Sequence, residues 1–446
     1  MKRFALILAL ALVGLSASAQ EPAKPQIPER SVLLTDYGGV GDGIGLNTEA
    51  FDNAIKALSK QGGGHLLVPE GLFLTGPIVL KDNIDLHLEK GAFILFSPDK
   101  TLFQADDGKV RPFITASKRH DVSITGEGII DGNGAFWRPV KRGKVSKTEW
   151  DDFVRMGGTL SADGKIWYAS SLKHFADIAD DPVAQDKLRP HLVRFTDCSR
   201  VLVSGVTLQN SPKFHLVPQR CTDVTIEALV VRCPWNAQNG DGIDIMNSRN
   251  VVVRGCFVDV GDDGICLKAG AGEKGVEAGP CKNVLIEYNT VCHAHGGFVI
   301  GSEFSGGMQD IVVRHNTFTG TDTGLRFKSA PERGGTCERI RISDILMSGI
   351  RGEAIVFETT YANRAAGFED AVAPDSDAFL PNFCDIVIER VVCRDARIAV
   401  RAQGTLQMIH DIILRESTIF YSDEERLVDD PDMITFENVR FLTYEP

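Results

Sequence analysis

Four short clusters between residues 239 and 328 hold most of the chain's capacity for acid–base chemistry: Asn239-Gly240-Asp241, Gly261-Asp262-Asp263, Ala294-His295-Gly296 and Arg326-Phe327-Lys328. Each lies at a short glycine-led apolar stretch: Gly242-Ile243-Asp244, Gly264-Ile265-Cys266, Gly297-Phe298-Val299 and Gly324-Leu325-Arg326. Aligned on those glycines, Asp241 and Asp263 share one row, and Asp262 and His295 share the next. Lys268 and Lys328 stand four residues past their glycines and Arg326 stands two past its own. A single Asp beside Gly is an ordinary turn. Three carboxylates, an imidazole and several cations at one phase of successive segments are not, because like charges brought together repel. Such crowding raises the pKa of one carboxyl while its neighbours stay ionised, so a proton donor sits beside bases. Hydrolysis of a glycosidic bond needs that pairing. Nearby Lys and Arg suit an anionic substrate.

These clusters ride on a repeat. A polar turn followed by an apolar-x-apolar strand recurs at Val201, Val224, Val251, Val284, Ile311, Ile340, Ile386 and Ile412, at intervals of 23 to 46 residues, with earlier copies at Ile84 and Val122. Short strands at this spacing, with little helical periodicity between them, predict a solenoid. The expected fold is all-β: a single right-handed parallel β-helix of about ten coils, burying Val, Ile, Leu and Cys inward. Asn47-Thr48-Glu49 followed by Phe51, Ile55 and Leu58 predicts a short N-terminal capping helix, stopped by Gly62-Gly63-Gly64. A gap of 79 residues separates Val122 from Val201, and residues 132–190 of it read as an insertion rich in Trp and Tyr. It is either a loop packed on the wall or a cover over a groove, where aromatic faces suit sugar rings.

The order Lys2-Arg3, an apolar run through Leu15, then Ala17-Ser18-Ala19 is that of a secretory signal over 1–19, which places the protein outside the cell or in a periplasm. The run is shorter than the ~18 apolar residues of a spanning helix, so no membrane association is expected. Residues 20–30, with Pro22, Pro25 and Pro28, form an extended lead-in, and 31–446 form the catalytic domain. The net charge of −12 argues against nucleic acid as a partner. Ten cysteines in an exported chain suggest disulfides, but Cys198, Cys221, Cys281 and Cys337 each precede a branched strand residue by three. Stacked coils would turn them into a ladder of buried thiols.

At the four clusters the chain resembles the polygalacturonases, glycoside hydrolase family 28, whose motifs in order are Asn-Thr-Asp, Gly-Asp-Asp, Gly-His-Gly and Arg-Ile-Lys. The resemblance extends to Asp36-Tyr37-Gly38-Gly39-Val40-Gly41-Asp42-Gly43 and Gly76-Pro77-Ile78. It implies an inverting hydrolase of α-1,4-linked galacturonate in pectin that needs no metal or other cofactor. By motif position Asp262 is the general acid, Asp241 and Asp263 activate water, and His295 supports the acid. Asn239, Lys268, Arg326, Lys328 and Tyr361 are the expected substrate contacts. Exo-acting members carry long insertions, so 132–190 suggests attack from a chain end. A monomer working on pectic polysaccharide or oligogalacturonide is expected. Inversion calls for acid and base carboxyls ~6.5–9.5 Å apart.

Three other readings stay open. A rhamnogalacturonan hydrolase would use the same acids on a branched pectin. A calcium-dependent pectate lyase would use Asp241, Asp262 and Asp263 as metal ligands. A non-catalytic polysaccharide-binding solenoid would use the groove without the acids. His293 and His295 could pair on a metal, but no third ligand at suitable spacing accompanies them.

Overall fold

The computed structural model describes residues 21–172, 174–179, 181–361 and 378–444; the signal expected over 1–19 lies outside them. The repeat of the sequence is the repeat of the structure. Ile84, Val122, Val201, Val224, Val251, Val284, Ile311, Ile340, Ile386 and Ile412 pair in one unbroken parallel row that ends at Ile434. Each row member from Ile84 to Ile412 follows a residue in the left-handed region, such as Asn83, Asp121, Asp223, Asn250 or Asp385, with φ between 48° and 57°. Asn and Asp tolerate that conformation better than other side-chain-bearing residues. The polar residue before each strand is therefore what turns the corner of each coil.

Two further stacks of parallel strands complete a right-handed β-helix. The one that matters for chemistry contains Val193–Thr196, Leu216–Gln219, Ile243–Met246, Ile265–Lys268, Gly296–Ile300 and Thr323–Lys328, paired in that order. Alternation along these strands sends one set of side chains into a continuous apolar core and the other to the outer face. Phe327 illustrates this. It stacks inward on Phe357 with ring centroids 4.3 Å apart, while Arg326 and Lys328 on either side of it face the acids.

The capping helix spans Thr48–Lys60 and buries Ala50, Phe51, Ala54, Ile55 and Leu58 over the open end of the core. Asn47 does not cap it with its side chain; its amide instead ties Val40, Gly45 and Leu74 together. The lead-in lies along the wall, held by Glu21 to Arg254, Lys24 to Glu227 and the Gln26 N–H to Asp121. All ten cysteines are free thiols, nine of them buried. The thiol row is broken: Cys198 and Cys221 are followed by Ser248, Cys281, Met308 and Cys337. Among the described residues no helix is long and apolar enough to cross a membrane.

The insertion is a small structure of its own. Strands Val140–Lys141, Thr159–Leu160 and Ile166–Tyr168 form an antiparallel sheet, beside a helix at Lys147–Arg155 that starts with a Ser146/Glu149 capping box. Val140, Trp150, Trp167 and Ala169 make its separate core. The expectation that its aromatic residues face sugar is not met. Trp150, Trp167 and Tyr168 are buried, and Trp137 packs on Phe103 and Phe113 in the main core.

Candidate active site

The register read from the glycines is the register of the strands. Ile243 pairs with Ile265, Ile265 with Phe298 and Phe298 with Leu325, which sets Gly242, Gly264, Gly297 and Gly324 in one row. A methyl group on Gly242 would meet the Gly264 carbonyl oxygen at 2.5 Å, and one on Gly297 would meet the Phe318 ring at 2.3 Å. Only glycine lets the coils close this tightly at the point where the acids emerge. Asp241, Asp262, Asp263 and His295 are brought together as expected, with Lys268, Arg326 and Lys328 around them.

The three acids differ in surroundings. Asp262 is the most open, its side chain 17% exposed against 4% for Asp241 and 3% for Asp263. Its oxygens accept the backbone N–H of Asn239 at 3.1 Å and that of Asp263 at 3.0 Å, and His295 Nδ1 lies 3.1 Å away. Burial works to raise its pKa. The hydrogen bond and charge of His295 outweigh that, aided by Lys328 and Lys144, and hold Asp262 well below the ordinary carboxylate range. Asp263 is also lowered; burial opposes the shift, while Lys328 Nζ at 2.7 Å and Arg326 Nη1 at 3.4 Å drive it. Asp241 moves the other way. Burial first, then the charge of Asp244, push its pKa well up against the pull of Lys268 Nζ at 3.1 Å. Its Oδ1 has no hydrogen-bond partner. Of the three acids, Asp241 is the one whose surroundings favour the protonated form.

Further members were not singled out from sequence. Asp244, fully buried and bonded to Lys268, is pushed up to about 6 by burial, with the charges of Asp263 and Asp262 adding to the rise and Lys268 opposing it. It lies two past its glycine, in the row of Arg326, so the same alignment contains it. Lys144, from the insertion, places Nζ 3.1 Å from His295 Nε2 and 3.4 Å from the Gly261 carbonyl. No local sequence signal links residues so far apart. Arg189 holds Asn239 Oδ1 at 3.0 Å and the Gln238 carbonyl at 2.7 Å, so Asn239 is itself anchored beneath the acid. Tyr361 stands where Arg326 and Lys328 lie over its ring, 5.6 and 5.1 Å from the centroid.

One oxygen each of Asp262 and Asp263 and one nitrogen of His295 lie within 4.8 Å of one another. The cluster has the donors for a metal, but Arg326 and Lys328 already contact Asp263, and Lys268 holds the neighbouring Asp241 and Asp244. Three fixed cations among four carboxylates leave little net charge to attract a divalent ion.

Carboxylates of different protonation converging on the face of a parallel β-helix, beside cations, define a polysaccharide-processing class of site. The chain belongs to glycosyl hydrolases family 28, whose family description matches residues 143–373. It is 31% identical over 388 residues to the exo-poly-alpha-D-galacturonosidase of Dickeya chrysanthemi, an alignment covering 82% of this chain and 62% of that protein. It is 28% identical to an endo-polygalacturonase of Pectobacterium carotovorum subsp. carotovorum, over 80% of this chain and 83% of the relative. Among solved structures, a hyperthermoactive exopolygalacturonase from Thermotoga maritima superposes with a TM-score of 0.74 at 29% identity, covering 95% of this chain and 94% of that one.

Proposed function

We propose that the protein hydrolyses α-1,4-linked galacturonate in pectin from a chain end, outside the cytoplasm, and that Asp262 gives the leaving oxygen its proton. The observation that carries this is the arrangement of the acids: the most exposed carboxylate sits on His295, and two deeply buried ones stand in the adjacent row. Its exposure supports Asp262 as the acid that reaches a glycosidic oxygen. Asp263, kept ionised by Lys328 and Arg326, is the group that would take a proton from water, and Asp241, with an unpartnered oxygen, would help to orient that water.

The surroundings of Asp262 favour its ionised form, so bound substrate must help to protonate it. A uronate carboxylate bound at Arg326, Lys328 and Tyr361 would engage Lys328, one of the cations that depress Asp262, and add a negative charge nearby. Both effects, with the loss of water, favour the protonated acid. Catalysis of this kind is selective for an anionic sugar because binding itself loads the proton. End-wise attack is supported by the insertion, which reaches His295 through Lys144, and by the exo-acting relatives.

The test is product analysis over time with polygalacturonate and, separately, rhamnogalacturonan. Immediate monomer or dimer from polygalacturonate supports the proposal. A ladder of intermediate oligomers contradicts end-wise action, and unsaturated, ultraviolet-absorbing products would replace hydrolysis by β-elimination. The family resemblance implies inversion of configuration rather than retention through a covalent intermediate. Nuclear magnetic resonance of the first product formed separates the two: inversion of an α-linkage releases the β-anomer, retention the α-anomer.

A further inference from the structure

Of the four tryptophans, three are at most 6% exposed and Trp235 is 56% exposed. An indole left this open is ordinarily mobile, but Trp235 is fixed twice. Its Nε1–H donates to Asp259 Oδ1 at 3.1 Å, and its ring lies on His293 with centroids 3.8 Å apart and planes 25° from parallel. His293 in turn holds the same Asp259 oxygen at 2.9 Å through Nδ1. This accounts for His293, which is thereby committed to the indole and does not join His295.

Trp235 forms one side of a cleft of about 780 Å³ whose other members include Lys144, Asn236, His295, Asp322 and Arg351. The insertion supplies the opposite side. Arg326, Lys328 and Tyr361 take no part in its lining; the cleft residues Lys144 and Asp322 approach His295 at Nε2, while Nδ1 faces Asp262. The cleft lining carries Lys144 and Arg351 against Glu149 and Asp322, and Arg351 lies 3.5 Å from Asp322.

We propose that this cleft is a second sugar subsite, in which a pyranose ring of the glycan stacks on Trp235 and is recognised through its hydroxyls. An immobilised aromatic face beside balanced polar groups suits a ring with one apolar face and a polar rim. Holding the indole in place beforehand removes the ordering cost from binding. The absence of surplus positive charge separates this subsite from Arg326 and Lys328, the cations proposed above to bind uronate. The proposal rests on the glycan-cleaving reading above and adds to it the residue that selects substrate length.

Two arms test it. In the first, Trp235→Ala raises KM for galacturonate trimers and longer chains by about tenfold, with a smaller change in kcat, and Trp235→Phe restores most of the loss. Unchanged KM in Trp235→Ala would overturn the subsite, whereas a wild type that cleaves neither polygalacturonate nor rhamnogalacturonan would instead defeat the parent reading. In the second, oligogalacturonide titrated into the wild type quenches the one solvent-facing indole, and Trp235→Phe abolishes that quench. A wild-type emission indifferent to saturating glycan would count against the subsite whether or not cleavage occurs.

Discussion

At the scale of single residues, the site is an exercise in charge balance. Lys268 stands between Asp241 and Asp244, all three buried. Its own pKa is raised: burial opposes, and the charge of Asp244, then other neighbours including Asp241, prevail. Lys268→Met would leave two buried carboxyls without their cation, which typically costs ~3–5 kcal/mol. The sign with pH follows from the raised carboxyls. Asp244 already titrates at about 6 in the folded chain, against 3.8 when unfolded, and Asp241 is also raised. Removing the lysine raises both further, so the folded variant is favoured when they are protonated. The loss should be small near pH 4 and grow as pH rises past 6, as denaturant unfolding at several pH values would record. A uniform loss across that range would mean that Lys268 acts by packing alone.

At the scale of elements, His215 connects one coil to the next. It is fully buried, its Nδ1 donates to the Asp241 carbonyl at 2.8 Å, and its Nε2 accepts the Ser211 N–H at 3.2 Å. Protonation would set an N–H against an N–H. Burial lowers its pKa to about 4, so the unfolded chain, with histidine near 6.5, binds the proton first as pH falls. Its contribution is complete above pH 6.5 and shrinks by about 3 kcal/mol on descent to pH 4. His215→Gln should therefore be less stable than wild type at pH 7, with the gap narrowing toward pH 4; a gap constant with pH would contradict the buried neutral imidazole. The strand repeat, the glycine row and the pairing of Asp241 with Asp263 were legible in the sequence because a solenoid copies local phase into space. Lys144, Arg189 and Trp235 were not legible as site members. They come from an insertion or from turns, where no period fixes direction. The aromatic residues of the insertion misled for the same reason: Trp150 and Trp167 serve its own small core.

At the scale of the whole molecule, stability comes from continuous stacking and owes nothing to cross-links. All ten cysteines are thiols, and burial raises the pKa of Cys256, Cys281 and Cys393 to about 12, which keeps them unreactive. The melting temperature should be the same with and without reductant, and alkylation after denaturation without reductant should label ten sites. Fewer labelled sites, or a fall in melting temperature with reductant, would show a disulfide. The single core also explains why the insertion can be elaborate without splitting the fold: it leaves and rejoins the stack between Ile129–Asp131 and Val193–Thr196, and strands on either side of it still pair, Ile114 with Val193 and Val201 with Val122.

The central claim is that Asp262, presented by one coil and held by His295 from the next, is the proton donor. The most direct measurement is reducing-sugar release from polygalacturonate by Asp262→Asn beside the wild type, with melting temperature and KM recorded for both. The account predicts a kcat lower by roughly 10²–10⁴-fold with KM and melting temperature little changed. A variant that retained its rate to within a few-fold would contradict it.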